Sequence, residues 1–278
     1  MIGVQTQLIL FWAAVGFCFL ATFFYISSLS FAKEGYVRYG TYCSYTAFLP
    51  MLAALILRWL ETGHVPSIGP YEVFTIYAWG VLLFFLVAQW WKPNAQIAGI
   101  FVLPVVMLMI GVGVMSSTEL TALPNTYYTY WLWIHMLFAT LALGGVLTSA
   151  GLALIYLVKS HQEEQGAVSP LLTRLPGLEQ LDFLCYRFTH FAFSMMGIMI
   201  ASGAIWAYKS WGRYWGWDPI ETWSLICWLV YGLYLHLRKS GLRGKKAAYV
   251  YFAVIGVAIF CFFGAPYLYP TIHDRFVR

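Results

Sequence analysis

TYWLWIHMLFATLALGGVLTSAGLALIYLV, residues 129–158, contains no Asp, Glu, Lys or Arg. An α-helix rises about 1.5 Å per residue, so about 20 apolar residues cross the hydrocarbon layer of a bilayer. This run is longer than needed and is expected to tilt or project from the membrane. Working outward from it, apolar runs of spanning length recur at roughly 7–31, 43–60, 71–91, 95–115, 183–207, 221–239 and 246–266. Lipid offers the backbone no hydrogen-bond partner, so runs of this length must be helices. The sequence therefore predicts an all-α integral membrane protein with about eight transmembrane helices, forming one polytopic domain over 1–278. Pro104 is expected to kink the fourth span.

Composition excludes the soluble alternatives. Of 278 residues 61% are hydrophobic and only 10% charged, against about 25% charged in soluble domains. The mean hydropathy is +0.72, so neither a soluble globule nor a disordered chain fits. Aromatics reach 19%, with 13 Trp, more than interfacial belts require. Cys18, Cys43, Cys185, Cys227 and Cys261 form no CxxC pair and lie in or beside apolar runs, so they read as small membrane residues. The first run lacks a basic flank and is long enough to span, which argues against a cleavable signal peptide.

Lys and Arg set the expected orientation. Lys33, Arg38, Lys92, Lys159, Arg174, Arg187, Arg238, Lys239, Arg243, Lys245 and Lys246 fall on one side. Only Arg58, Lys209, Arg213, Arg275 and Arg278 fall on the other. The richer side is expected to be cytoplasmic, or stromal in a plastid, with both termini on the outer (periplasmic or lumenal) side. An inner polar loop is expected at about 159–182. Its segment 161–166 should be a solvated bend, and the run from Leu175 to Asp182 a short interfacial helix. Arg58 with Glu72, and Asp182 with Arg187, are placed to pair at the membrane edges.

The outward loop at about 208–221 holds the most unusual segment, WGRYWGWDPIETW, residues 211–223. Two readings stand side by side. The crowd of indoles is an aromatic belt, or Trp211, Trp215 and Trp217, spaced by glycines, form a wall for a flat apolar ligand whose carboxylate Arg213 could meet. Asp218 suits the N-cap of the seventh helix, with Pro219 in its first position and Glu221 in its first turn. His135 and His273 lie on the same side as this loop. Each reads either as an interfacial histidine or as an axial ligand to heme iron. His236 sits near the inner end of the seventh span, too far down the helix to share a ligand with that pair. His190 lies toward the inner side of the sixth.

The tryptophan segment resembles the WWD motif of heme-handling proteins, and most resembles the CcsA (ResC) family of system II cytochrome c biogenesis. Gly63-His64-Val65-Pro66 with Tyr71-Glu72, the Leu175–Asp182 run and Gly203-Ala204-Ile205-Trp206-Ala207 are similar to further segments of that family. Ile220 and Thr271-Ile272-His273 depart from its usual Lys and Gly-Leu-His. The resemblance implies a heme-handling subunit of a cytochrome c synthase, a heme lyase working with a CcsB/ResB-type membrane partner and inactive alone. It implies that His135 and His273 ligate an outer heme, with Asp218 and the tryptophans around it, and that His236 ligates a second heme within the bilayer. The second ligand of that inner heme is implied to come from the partner. His190 matches no family position, and reads as a further ligand or as a hydrogen-bonding residue between helices. The implied substrates are heme b (iron protoporphyrin IX) and the CxxCH segment of apocytochrome c, in a bacterial cytoplasmic or plastid thylakoid membrane, with lipid as surroundings and no nucleic acid. A heme chaperone or exporter of the CcmC type, without ligase activity, is the rival reading. The eight spans and the continuation after Asp218 favour CcsA.

Overall fold

The computed structural model describes residues 2–31, 34–120, 124, 127–166 and 175–273. Lys33, Arg174, Arg275 and Arg278, and the part of the inner loop at 167–174, lie outside the described residues. The described residues form helices α1 (Ile2–Phe31), α2 (Glu34–Thr62), α3 (Gly69–Trp91), α4 (Gly99–Met115), α5 (Tyr130–Glu164), α6 (Leu178–Trp211), α7 (Pro219–Lys239) and α8 (Gly244–Ile259), and contain no strand. A 3-10 segment (Pro93–Ala98) leads into α4. A π turn (Phe260–Gly264) links α8 to the short α9 (Ala265–Leu268). Eight of these stretches are long and apolar enough to cross a membrane, as expected. Several outrun the apolar runs, because helix geometry continues through the polar ends. α2 starts at Glu34 and α6 at Leu178. Pro104 lies within α4, and Pro50 within α2.

α5 is the central helix. Every residue from Ala142 to Ala153 is buried, and α5 packs against α3, α4, α6 and α8. Small residues allow this, because lipid gives helices no hydrophobic reason to associate and close backbone packing must do so instead. A Cβ on Gly144 would stand 2.6 Å from the Phe84 ring, and one on Gly151 would stand 2.7 Å from the Ala98 carbonyl oxygen.

Polar residues mark the two ends of the bundle. At one end the Tyr71 hydroxyl donates to Gln7 Oε1 (2.9 Å), and Arg58 Nε donates to Glu72 Oε1 (2.8 Å). Both members of that ion pair are buried. The guanidinium also donates to the carbonyls of Thr118 and Glu119 (3.0 Å each). At the other end Lys159 Nζ donates to the carbonyls of Leu175 (3.1 Å) and Pro176 (3.0 Å). Two expectations change here. The Leu178–Asp182 stretch is the first turn of α6, not a separate interfacial helix. Asp182 pairs with Arg238 of α7 (2.7 Å to Oδ2), not with Arg187. Arg187 instead lies over the rings of Phe183 (5.6 Å) and Trp91 (6.0 Å).

Candidate functional site

The tryptophan loop is held by its flanks. α6 ends at Trp211, and Gly212 follows at φ +74°, the left-handed conformation that closes helices. α7 opens with the expected cap. Asp218 Oδ1 accepts from the Ile220 N–H (3.1 Å), and Glu221 Oε2 reaches back to the N–H groups of Asp218 (3.2 Å) and Gly216 (2.7 Å). Trp217 sits between at φ +57°, strained for a non-glycine residue.

Asp218 also holds the C-terminal tail. Its carboxylate accepts from Thr271 Oγ1 (2.7 and 2.9 Å), the Ile272 N–H (3.0 Å) and His273 Nδ1–H (3.1 Å). Burial pushes this carboxyl's pKa up. The hydrogen bonds from His273, Thr271 and Ile272 outweigh that and hold it well below the usual carboxylate range. An ionised carboxylate can only accept, so His273 Nδ1 bears a proton, and in the neutral imidazole this leaves Nε2 as the atom with a lone pair.

His135 is prepared in the same way from another helix. Its Nδ1 lies 2.9 Å from the Met199 carbonyl oxygen on α6. A carbonyl only accepts, so this nitrogen bears the proton and Nε2 is again the free donor atom. Gly203 makes the approach possible, since a Cβ there would stand 2.7 Å from His135 Nδ1. Both imidazoles pack on one indole. The Trp206 centroid lies 6.2 Å from His135, nearly parallel at 18°, and 5.8 Å from His273. Trp206 is itself fixed in a small apolar cluster with Ile68, Tyr127 and Leu132, and Trp211 packs edge-on to it at 4.8 Å.

His135, His273, Trp206, Trp215 and Glu221 line one cavity of about 70 Å³. The structure thus brings His135, His273, Asp218, Trp211 and Trp215 together. It does not bring in Trp217, which is 70% exposed and meets Trp215 edge-on. The Arg213 guanidinium lies across Gly216, in space that a side chain there would fill, and has no carboxylate partner among the described residues. His236 is exposed on α7 and lines no described cavity. His190 lines a separate cleft of about 1220 Å³ between α3, α5 and α6. Sequence reading missed Trp206 as the shared wall, Thr271 as a tether and Glu221 as the loop's anchor. Trp206 was visible only as part of a motif, and Thr271 only as a departure from one.

Residues 68–273 match the family model described as cytochrome C assembly protein. A Guillardia theta protein described as "Cytochrome c biogenesis protein CcsA" is 31% identical over 261 residues, covering 86% of this chain and 85% of that one. Its namesake from Parasynechococcus marenigrum is 31% identical over 262 residues, covering 82% and 83%. Among solved structures, one described as "Cytochrome c Heme Lyase CcmF" superposes with a TM-score of 0.66 at 17% identity, covering 98% of this chain. The chain spans 48% of that larger one, and the likeness carries the fold alone. An eight-span helical bundle, the family match over residues 68–273 and the identity to CcsA proteins along most of both chains lead to one conclusion: this integral membrane protein belongs to the cytochrome c assembly family, in its CcsA branch.

Proposed function

We propose that this chain is the heme-handling subunit of a cytochrome c synthase, and that it presents heme b at the His135–His273 site for attachment to CxxCH of apocytochrome c. The observation that carries the reading is the pair of imidazoles, each with Nδ1–H committed and Nε2 free, packed on one indole and lining one cavity. Two neutral imidazoles are a suitable axial pair for heme iron, and indoles suit the macrocycle faces. The cavity is smaller than the ~300 Å³ at which small-molecule sites begin. Heme entry therefore requires the site to open around the two imidazoles.

In this reading His135, fixed to α6, is the constant ligand. His273, on the tail, is the one released when the substrate's own histidine arrives. Arg213, within the loop and without a carboxylate partner among the described residues, receives a propionate. Each substrate thiol adds across a heme vinyl group. The sulfur–carbon bond forms at one vinyl carbon and the thiol proton ends on the other, with no net electron transfer. The protein's part is positioning, which makes the encounter effectively intramolecular. Heme arrives from the inner side by way of His236, with a second ligand from a CcsB/ResB-type partner, and the chain alone is inactive. The membrane is the bacterial cytoplasmic or the thylakoid membrane.

The test is co-expression with a CxxCH reporter cytochrome, with and without the partner. Covalent heme should appear only with the partner, and His135→Ala or His273→Ala should reduce it at least tenfold. Heme bound by the chain but never attached in the partner's presence would favour a chaperone instead.

A further inference from the structure

The mechanism leaves the large cleft between α3, α5 and α6 unused. Its walls run from Ile76 to Lys92 on α3, from Trp133 to Leu141 on α5 and from Gln180 to Ser194 on α6, enclosing about 1220 Å³. That exceeds the ~300–1,000 Å³ of ordinary small-molecule sites. At about 1.5 Å per residue, the α3 wall is roughly 24 Å long. The cleft opens sideways from the bundle, where Val87, Leu137 and Phe183, one from each wall, are exposed. In a bundle that spans a membrane, that opening faces lipid.

The lining changes character with depth. At the end of the bundle where α3 stops and α6 starts, one indole carries two cations: Lys92 lies over the Trp91 ring at 5.0 Å and Arg187 at 6.0 Å. Neither cation pairs with a carboxylate among the described residues. One turn deeper along α6, about 4.5 Å, is His190, exposed and lining the cleft. Its ring makes no hydrogen bond among the described residues. Deeper still the walls are aliphatic and aromatic, with Leu83, Phe84, Leu141 and Phe191. The two hydroxyls at that depth are already satisfied: Thr140 donates to the Met136 carbonyl (2.8 Å) and Ser194 to the His190 carbonyl (3.1 Å). From the rim inward the order is therefore two unpaired cations, one unsatisfied polar ring, then hydrocarbon.

We propose that the cleft is a binding site for one anionic phospholipid, with its phosphate between Lys92 and Arg187, a glycerol ester carbonyl on His190 and its acyl chains along the walls. A phospholipid carries the complementary groups in the same order along its length: anion, ester oxygens, hydrocarbon. Basic pockets between spanning helices hold acidic headgroups in this way. The two cations give the preference for a lipid of net negative charge, since a zwitterionic headgroup brings its own cation to the phosphate. An imidazole N–H left without a partner at membrane depth is costly, and the ester oxygen removes that cost. An apolar helix in the cleft would cover the walls but leave both cations and the imidazole unmatched. Seated here, the lipid bridges α3 and α6 at the end of the bundle away from the His135–His273 site.

The test uses the full chain in mild detergent, incubated with equal amounts of phosphatidylglycerol and phosphatidylcholine and read by native mass spectrometry and thermal melts. The chain should retain one phosphatidylglycerol in preference to phosphatidylcholine. Phosphatidylglycerol should raise the melting temperature more than phosphatidylcholine does, and inorganic phosphate should not raise it. Lys92→Gln with Arg187→Gln should weaken phosphatidylglycerol about tenfold, while the melt in phosphatidylcholine alone stays at the wild-type value and shows the variant folded. His190→Ala should weaken it a few-fold, about the worth of one hydrogen bond. Leu137→Trp, on an exposed wall position, should weaken it by filling the cleft. Equal retention of the two lipids overturns the proposal, as does phosphatidylglycerol retention indifferent to the paired glutamines or to Leu137→Trp. So does stabilisation by inorganic phosphate alone. A Leu137→Cys chain that cross-links to a co-expressed CcsB/ResB-type partner, in a complex that retains no lipid, gives the cleft to a protein helix and overturns it too.

Discussion

Asp218 caps α7 and tethers the tail with the same carboxylate, so one side chain fixes both the start of a helix and the direction of His273. Asp218→Asn should cost about 2 kcal/mol, the worth of hydrogen bonds to a charged group. It should also weaken outer-site hemin binding about tenfold or more, as loss of a metal ligand's supporting partner does. Because the folded carboxyl lies below its unfolded value, near 3.9, its stabilisation is complete above about pH 4 and fades as pH falls further. Thermal melts of the wild type and Asp218→Asn should differ above about pH 5 and draw together progressively as pH falls below about pH 4. Glu72 makes a second prediction at this scale. It neutralises the buried Arg58 and accepts from the N–H groups of Ser67 (2.8 Å) and Ile68 (3.0 Å). Glu72→Ala should cost about 3–5 kcal/mol in a detergent melt, because it strands a buried charge. It should also loosen Ile68 beneath Trp206. The Arg58–Glu72 pair and the Asp218 cap were legible in the sequence, since both partners lie at the ends of recognisable spans. The Arg238–Asp182 pair was not, because only the antiparallel packing of α7 on α6 brings those residues together.

Helices α3, α5 and α6 wall the large cleft and are held close by absent side chains. Gly144→Leu would drive a side chain into the Phe84 ring. Overpacking of this kind costs about 1–3 kcal/mol. The expected result is a lowered melting temperature together with a narrowed cleft, whereas Gly16→Leu, with open space around it, should leave the melt unchanged. Periodicity found these helices but misjudged their ends. Hydropathy measures what lipid tolerates, while the hydrogen-bond ladder of α6 runs on through polar residues at Leu178–Asp182 and through the interfacial Tyr208–Trp211. The histidine-lined cavity was half legible. The histidines and tryptophans stood out as residue types, but the shared role of Trp206 depends on α5, α6 and the tail meeting in space.

At the scale of the molecule the bundle has a tryptophan end and a basic end, and an even number of spans returns the chain to the end where it starts. We expect the tryptophan end to face outward, since Lys and Arg concentrate at the other. Lys209→Cys and Lys239→Cys place thiols on exposed positions at the two ends. In intact spheroplasts a membrane-impermeant maleimide should label the first and reach the second only after permeabilisation. The reverse pattern would invert the topology and, with it, the proposed direction of heme movement.

The π turn at Phe260–Gly264 gives the helix one more residue than an α-helical turn would hold. Each added residue rotates everything after it by about 100°. The bearing on which the final segment leaves the bundle is therefore fixed by chain length between α8 and α9, ahead of His273. Deleting a single phenylalanine there would swing His273 off its carboxylate, and the proposed heme site would lose one of its two imidazoles with every residue around it intact.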